Sequence, residues 1–251
     1  MIDLSGRRVL VTGGSRGIGA ACCHAFAAAG ASVAVHYRAN ESAARAVEEA
    51  CVEAGGREHL RIAADLAAPG GLDDLFGPLE SAWGGLDCVV NNAGIWVHNP
   101  LSGYDDRRAA ETWELNVAAV FRVTARAVGW LERATDGNVV SISSTAGQRG
   151  EAEYSPYAAS KGALIAATKS WSSELAPSVR VNAVAPGWVD TDMCREVFAG
   201  GGRERIEAGI PLRRVASAEE IAGPVLFLAS SLARHVTGEI LNVNGGAVLA
   251  G

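Results

Sequence analysis

The chain has 251 residues, of which 49% are hydrophobic, and that content is enough to bury a substantial core in one large α/β domain. Its net charge is -6, from 22 basic and 28 acidic residues, and no run of lysines or arginines occurs. This balance argues against a nucleic-acid surface and against an anionic membrane, so we expect neither partner.

The targeting and cysteine patterns further narrow the class of protein that we expect. No apolar stretch reaches the length of a membrane span, and the first residues lack the basic and then apolar run of a signal peptide, so we expect a cytoplasmic protein. The five cysteines form no CxxC pair and no Cys/His cluster. Neither a metal site nor a disulfide framework is therefore expected.

Short β-branched runs alternate with longer alanine-rich stretches along the chain. The runs that predict strands cover residues 9–11, 32–35, 60–62, 88–90, 139–142, 179–182 and 240–243. Amphipathic segments between them, such as 39–54, 107–133 and 156–175, have the lengths of crossover helices. The alternation predicts an α/β fold with a doubly wound, seven-stranded parallel sheet and helices on both faces.

The chain carries no sign of a second domain, since it has no Pro/Ser-rich linker, repeat or low-complexity tract, and we expect one domain over residues 1–251. The segment 190–211 breaks the regular alternation and contains three consecutive glycines, 200–202. We interpret it as a mobile lid over a substrate cleft, with an ordinary surface excursion as the alternative.

A glycine-rich turn follows the first predicted strand and leads into a predicted helix over 20–29. In this turn Gly13 can make the tight bend, Gly17 lets backbone approach a pyrophosphate, and Gly19 allows close helix packing. The helix N-terminus would then present free N–H groups to the phosphates. The GxxxGxG spacing differs from GxGxxG, so the turn alone is moderate support for a dinucleotide site.

The end of the second predicted strand bears on the choice of dinucleotide. An NAD-binding protein often places a carboxylate there for the ribose 2'-hydroxyl, but residues 35–38 contain none. Arg38, together with Arg16, is suited instead to a 2'-phosphate, because guanidinium matches phosphate geometry. NADP(H) is therefore the preferred cofactor, with NAD(H) as the alternative.

Tyr157 and Lys161 stand at i and i+4 of a predicted helix, so they share one face. A free phenol has a pKa of about 10 and is a poor acid-base group near neutrality. An adjacent ammonium would favour the phenolate. The same spacing also occurs where a lysine stem simply covers an aromatic ring, so the pair needs its context.

With these residues in view, the chain resembles the short-chain dehydrogenase/reductase family over nearly its whole length. The residues from Thr12 to Gly19 resemble the cofactor turn of that family, Asp65 its adenine-contacting acid and residues 91–94 the loop after its fourth strand. Residues 186–191 resemble its nicotinamide-lining segment. The overall likeness is greatest to 3-oxoacyl-acyl-carrier-protein reductases.

The resemblance implies a Rossmann fold, a homotetramer and a set of site residues. The implied catalytic residues are Asn116, Ser144, Tyr157 and Lys161. The implied cofactor-binding residues are Gly13, Ser15, Arg16, Gly17, Ile18, Gly19, Arg38, Asp65, Leu66, Asn92, Ala93, Gly94, Tyr157, Lys161, Pro186, Gly187, Val189 and Thr191.

The family pattern also implies roles. Tyr157 would give its proton to a carbonyl oxygen that Ser144 holds, while the cofactor delivers hydride to carbon. Lys161 would lower the pKa of the phenol and hold the nicotinamide ribose, and Asn116 would anchor a water. Ser141 and Ser143 compete for the serine role, and only the resemblance selects Ser144.

The substrate is less determined than the reaction. The expected substrate-binding residues are Trp96, Ala146, Arg149, Trp188 and Met193, and others expected to face the cleft are Ile95, His98, Gln148, Glu151 and Phe198. This mixture suits a medium-sized ketone or secondary alcohol. The two tryptophans would either clamp a ring or pack under the lid.

Two further functions stay open. A 3-oxoacyl-carrier-protein reductase would need basic residues for carrier docking, which the acidic net charge and the contracted segment 176–179 disfavour and which Arg126, Arg133 and Arg149 would supply. A catalytically idle NADP(H)-binding subunit is the other alternative. It should have lost part of the catalytic set, which is present in full.

Overall fold

A computed structural model describes residues 2–55 and 58–249. The strands are β1 Arg8–Val11, β2 Ser32–Tyr37, β3 Leu60–Ala63, β4 Cys88–Asn91, β5 Gly137–Ile142, β6 Val179–Pro186 and β7 Ile240–Val243. They form one seven-stranded sheet in the order β3-β2-β1-β4-β5-β6-β7, and every pair is parallel. The predicted fold class is confirmed.

The α-helices lie on both faces of this sheet. They are α1 Gly17–Ala28, α2 Glu41–Glu53, α3 Gly71–Ala82, α4 Asp106–Trp113, α5 Ala119–Leu131, α6 Thr145–Arg149, α7 Ser155–Glu174, α8 Arg195–Phe198, α9 Gly202–Gly209 and α10 Ala218–Ala229. Alternate residues of β1 enter different cores, with Val9 and Val11 on the face of α1 and α10 and Leu10 on the face of α3 and α5. Burial on both faces explains the continuous β-branched runs.

The helix predicted over 107–133 contains an interruption that the sequence pattern did not show. Residues Glu114–Ala118 form one turn of π-helix between α4 and α5, and Asn116 lies in it. Hydrophobic periodicity does not resolve a local change from i→i+4 to i→i+5 bonding, although such turns are often found at functional sites. The prediction of one regular helix was therefore wrong at this point.

The sheet changes direction between β1 and β4. The chain builds outward from β1 through β2 to β3 and then returns to add β4 on the other side of β1, where Val11 pairs with both Val35 and Val90. In open parallel sheets, ligands bind outside the carboxyl ends of the strands at this switch point. The crevice beyond Val11 is therefore where a site is expected.

The segment predicted as a lid folds into a 3₁₀ turn, Asp192–Cys194, followed by α8 and α9. Arg203 of α9 donates to the Asp190 carboxylate at 2.7 Å, which ties α9 to the start of the segment. Its mobility stays a prediction. Within residues 2–55 and 58–249 no helix is long and apolar enough to cross a membrane.

Candidate active site

The turn after β1 is built around the hydroxyl of Thr12, which is 2% exposed. It donates to the Val90 carbonyl at 3.2 Å and accepts from the backbone N–H groups of Asn92 at 3.0 Å and Ala93 at 3.1 Å. The Asn92 amide donates to the carbonyls of Thr12 and Gly13 at 2.9 and 3.0 Å. The glycine turn and the loop after β4 are thus one hydrogen-bonded unit.

Sequence reasoning gave no role of its own to Thr12. One signal for Thr12 was available in the sequence: it is a hydroxyl residue directly after a buried apolar run. At such a position the side chain bonds mainly to backbone groups.

Two glycines of the turn are required by close approach. A Cβ on Gly19 would lie 2.2 Å from the Gly13 carbonyl oxygen, so no side chain fits. Gly19 is buried and lines neither cavity described below, so it is a packing residue and not a cofactor contact. Gly17 also belongs to the turn and lines the larger of the two cavities. A Cβ on Gly17 would lie 3.2 Å from Cγ2 of Thr191.

Two adjoining cavities, one larger than the other, run along the carboxyl edge of the sheet and open to solvent. The larger is lined by the predicted cofactor residues Gly13, Ser15, Arg16, Gly17, Ile18, Arg38, Asp65, Leu66, Asn92, Ala93 and Gly94. The smaller is lined by Tyr157, Lys161, Pro186, Gly187, Val189 and Thr191. Five residues border both: Ile18, Asn92, Gly94, Thr191 and Met193.

This two-part cleft fits a nicotinamide dinucleotide. The N-cap of α1, Arg16, makes no side-chain capping bond, so the first-turn N–H groups of this helix are not taken by a cap. They face the larger cavity, where an anion would satisfy them and the helix dipole would favour it. The pyrophosphate would be held there, between the adenosine and nicotinamide ends.

Four charged residues border the larger cavity: Arg16, Arg38, Asp65 and Asp192. The side chain of Arg16 is 74% exposed and lies 4.0 Å from the Asp192 carboxylate of the predicted lid. Such an exposed pair contributes little and leaves the guanidinium available to a stronger anion.

Ser144 lies where β5 ends and α6 begins, and its Oγ accepts from the Ala146 N–H at 3.0 Å. It borders the smaller cavity and lies beside the phenol of Tyr157. Ser143 also borders this cavity, but the residue is 2% exposed and its hydroxyl donates to the Lys161 carbonyl at 2.9 Å, and Ser141 is fully buried. Of the three serines, only Ser144 has a hydroxyl suited to meet a substrate.

Tyr157 and Lys161 occupy the first turns of α7. Lys161 is 5% exposed, and its Nζ donates to the Ile142 carbonyl at 2.7 Å and lies 5.9 Å from the centre of the Tyr157 ring. Burial raises the pKa of Tyr157 to about 12, and the nearby Ser144 hydroxyl offsets part of that rise. Burial lowers the pKa of Lys161 to about 8.

The structure therefore differs from the expectation that Lys161 lowers the pKa of the phenol. Desolvation of the phenolate dominates, and the ammonium is drawn to the carbonyl of Ile142. Both pKa values favour a neutral phenol and a mostly charged amine at pH 7.

Asn116 lies behind the cavity wall and is fully buried. Its Oδ1 accepts from the Ile95 N–H at 2.8 Å, and its Nδ2 donates to the Ile95 carbonyl at 2.9 Å and to Oγ of Ser160 at 3.1 Å. Asn116 lines neither cavity, and its side-chain amide is already bonded to Ile95 and Ser160. Any water that Asn116 anchors would therefore be held by its backbone. Its side chain ties the 94–95 loop to α7.

All five expected substrate-binding residues border the smaller cavity: Trp96, Ala146, Arg149, Trp188 and Met193. Trp96 forms the aromatic part of the wall. It stacks on Tyr154, with ring centres 4.4 Å apart and planes at 17°, and meets Trp188 edge-on at 5.9 Å and Tyr157 at 6.5 Å.

Several other residues expected in the substrate cleft lie elsewhere. Ile95 borders the larger cavity. His98 is exposed and 3.5 Å from the Glu153 carboxylate. Gln148 donates to Oδ1 of Asn242 at 2.6 Å, because it lies on the face of α6 turned toward β7. Phe198 packs near Trp188, with ring centres 6.1 Å apart, and is outside the smaller cavity.

Glu151 does border the smaller cavity, as expected. Burial raises the pKa of its carboxyl, while Arg149 and the Trp96 indole oppose that rise. The residues that sequence reasoning missed here are Thr145 and Cys194, which line the cavity, and Tyr154, which supports Trp96. Their contacts depend on tertiary packing and carry no local pattern.

Together the fold and the cleft define the class: a dinucleotide-binding α/β oxidoreductase. A family model described as "Enoyl-(Acyl carrier protein) reductase" matches residues 13–248. The chain is 37% identical over 254 residues to 3beta-hydroxysteroid dehydrogenase 1 of Eggerthella lenta, covering 98% of this chain and 95% of that protein.

It is also 35% identical over 246 residues to the 3-oxoacyl-[acyl-carrier-protein] reductase FabG of Escherichia coli, covering 98% of each. A crystal structure of a short-chain dehydrogenase/reductase from Brucella melitensis matches with a TM-score of 0.91 and 30% identity over 99% of each chain. The chain belongs to the short-chain dehydrogenase/reductase family. It is therefore an enzyme that acts on CH–OH or C=O groups with a nicotinamide cofactor.

Proposed function

We propose that this enzyme interconverts a ketone and a secondary alcohol with NADP(H), using Tyr157 as the proton donor and acceptor. The observation that carries the proposal is the convergence of the Tyr157 phenol, the Ser144 hydroxyl and the Lys161 ammonium on a cavity that adjoins the dinucleotide cleft. If Lys161 merely covered the Tyr157 ring with its stem, there would be no reason for Ser144 and a cavity to lie beside the pair.

In the reductive direction Tyr157 gives its proton to the substrate oxygen. Its phenol, with a pKa of about 12, carries its proton at neutral pH, and the Lys161 ammonium would favour the phenolate that forms when the proton leaves. Ser144 bonds the same oxygen and holds it toward Tyr157. A bound nicotinamide supplies or takes up the hydride.

Lys161 acts through its charge and its remaining donors. An ammonium has three N–H groups, and Ile142 takes one of them, so two remain for the nicotinamide ribose and for stabilising the phenolate that forms. Asn116 fixes α7 against the 94–95 loop and is the residue we assign to the water that resupplies protons. Both roles follow the family pattern.

The cofactor preference rests on the adenosine end of the cleft. Arg16 and Arg38 border it, and residues 35–38 carry no carboxylate that would repel a 2'-phosphate. Guanidinium groups recognise phosphate well, so NADP(H) is proposed over NAD(H).

The aromatic wall favours a ring-bearing substrate. Trp96 and Trp188 meet edge-on beside Tyr157, which places apolar ring surface next to the reacting groups. The Eggerthella lenta relative is a 3beta-hydroxysteroid dehydrogenase by name, which is consistent with a polycyclic ketone or alcohol.

A carrier-bound 3-oxoacyl group is the second candidate, because the Escherichia coli relative is a 3-oxoacyl-carrier-protein reductase. Arg149, exposed at the cavity, is the basic residue best placed for docking. Arg126 lies 3.9 Å from Asp73 and over the Phe76 ring. A homotetramer is proposed from the family pattern and is checked by sedimentation.

The test is a screen of matched substrates, followed by the absorbance of the reduced nicotinamide. Cyclic ketones and 3-oxoacyl thioesters are each assayed with NADPH and NADH, and the corresponding alcohols with the oxidised forms. We expect the fastest turnover for a ring ketone with NADPH. Much faster turnover with NADH would overturn the role of Arg16 and Arg38, and no turnover with any carbonyl would overturn the function itself.

A further inference from the structure

His36 is a buried polar residue that neither the mechanism nor the family pattern uses. It lies one residue before the end of β2, between β1 and β3, and is 3% exposed. It also borders the larger cavity. From this position its ring reaches the ends of both neighbouring strands.

The residue holds the glycine turn at two consecutive peptides. Its Nδ1 accepts from the N–H of Gly13 at 3.0 Å, and its backbone carbonyl accepts from the N–H of Gly14 at 2.7 Å. Gly13, with φ of +65°, is held at its carbonyl too, by the amide of Asn92 at 3.0 Å. The turn that meets the cofactor is thus anchored from both sides.

The other ring nitrogen reaches the opposite wall of the cavity. Nε2 lies 3.0 Å from the carbonyl oxygen of Ala64, which immediately precedes Asp65. Since Gly13 can only donate and the Ala64 carbonyl can only accept, the ring must be neutral with its proton on Nε2. An imidazolium has no acceptor for the Gly13 N–H.

We propose that His36 is a positioning residue for the dinucleotide: as a neutral ring protonated at Nε2, it holds the Gly13 turn and the Ala64 segment at the separation that the adenosine half requires. The inference rests on the proposed cofactor site. It adds a residue that acts through the turn, without contact to the reacting atoms.

The placement also sets an acid limit on cofactor binding. Burial lowers the pKa of His36, which keeps the ring neutral, while the Asp65 carboxylate opposes this and favours the charged form. The other charged residues of this cavity are Arg16, Arg38 and Asp192. Because the native pKa is below the ordinary value of about 6.5, the contribution of the neutral ring is complete above that pH and is lost as the pH falls.

The test uses the full chain and two probes, NADPH and 2',5'-ADP, with affinities measured by calorimetry. The fragment reports the adenosine end without the chemistry. His36→Phe removes both hydrogen bonds of the ring, so the turn is no longer held in place and must be ordered when the cofactor binds. We therefore expect Kd for both probes to rise about tenfold. In the same variant, kcat at saturating NADPH should change less than threefold. His36→Gln can still accept and donate and should stay within threefold of wild type.

The matched control is His59→Phe. His59 also accepts a backbone N–H with Nδ1, from Val33 at 3.2 Å, but lines neither cavity, so its loss should lower Tm and leave Kd unchanged. If His36→Phe behaves in the same way, His36 is only a core residue and the inference fails.

A pH series from 5 to 8 separates the remaining outcomes. Wild type should lose affinity for 2',5'-ADP at acid pH more steeply than His36→Gln, since titration of the ligand phosphates is common to both and cancels. Parallel curves would refute the acid limit, whereas an Nδ1–H tautomer or a charged ring in the ¹⁵N spectrum at pH 7 would refute the proposal itself, and this spectrum decides the case if His36→Phe does not fold. A wild-type chain that binds neither probe would sink the proposed function as well.

Discussion

Removal of the Tyr157 hydroxyl is the sharpest test of the proposed chemistry. Tyr157→Phe keeps the ring that Trp96 meets edge-on at 6.5 Å, so the cavity wall and the dinucleotide cleft should persist. The proton donor alone is lost. General acid catalysis by a positioned group contributes about 10² to 10⁴-fold, and Ser144 remains to bond the substrate oxygen, so we expect kcat to fall about a thousandfold with Kd for NADPH within twofold.

The assay compares steady-state kcat with the Kd of NADPH for wild type, Tyr157→Phe and the control Tyr154→Phe. Tyr154 stacks on Trp96 at 4.4 Å and lines neither cavity, so loss of its hydroxyl should cost less than threefold in kcat. Turnover of Tyr157→Phe within tenfold of wild type would refute the assignment of the proton donor. An equal loss in both variants would mean that the rate does not depend on the Tyr157 hydroxyl in particular.

Three further predictions follow from burial and close packing. Burial lowers the pKa of Lys161 from 10.5 to about 8, so the charged amine destabilises the folded state at pH 7. This cost fades as the pH rises, because the amine then also loses its proton in the unfolded state. In urea titrations, the free energy of unfolding of wild type relative to Lys161→Met should rise by about 2 kcal/mol between pH 7 and pH 10. Arg38→Ala should raise the Km for NADPH about tenfold and that for NADH less than twofold, and equal changes would contradict phosphate recognition. Gly19→Ala should lower Tm by more than 5 °C because its Cβ meets the Gly13 carbonyl, whereas Gly77→Ala, with open space in α3, should leave Tm unchanged or raise it.

Much of the fold could be predicted because the strands are buried on both sides. In β1 the buried residues Val9, Leu10 and Val11 are all apolar, so the strand is visible as a continuous run in the sequence. The glycine turn was equally visible, because Gly13 and Gly17 adopt positive φ values that other residues rarely take. Patterns of this kind report local backbone constraints.

The remaining features depend on contacts between distant residues. The turn of π-helix at Asn116 changes one hydrogen bond without changing the apolar periodicity. The pKa of Tyr157 depends on how deeply α7 is buried, which a four-residue spacing does not contain. Gln148 faces Asn242 because of how α6 packs on β7, and His36 reads as an ordinary strand residue until its two ring contacts are seen.

The side-chain hydrogen bonds of Asn116 have a practical consequence for redesign of this enzyme. One amide holds both peptide groups of Ile95 and the Ser160 hydroxyl, so the strand-end loop and the helix that bears the phenol cannot be shifted independently. Mutations that widen the cleft by moving that loop would misalign the reacting groups at the same time. Libraries aimed at new specificities should therefore keep Asn116 and Ile95 and vary cavity side chains on other segments, such as Trp188 and Met193.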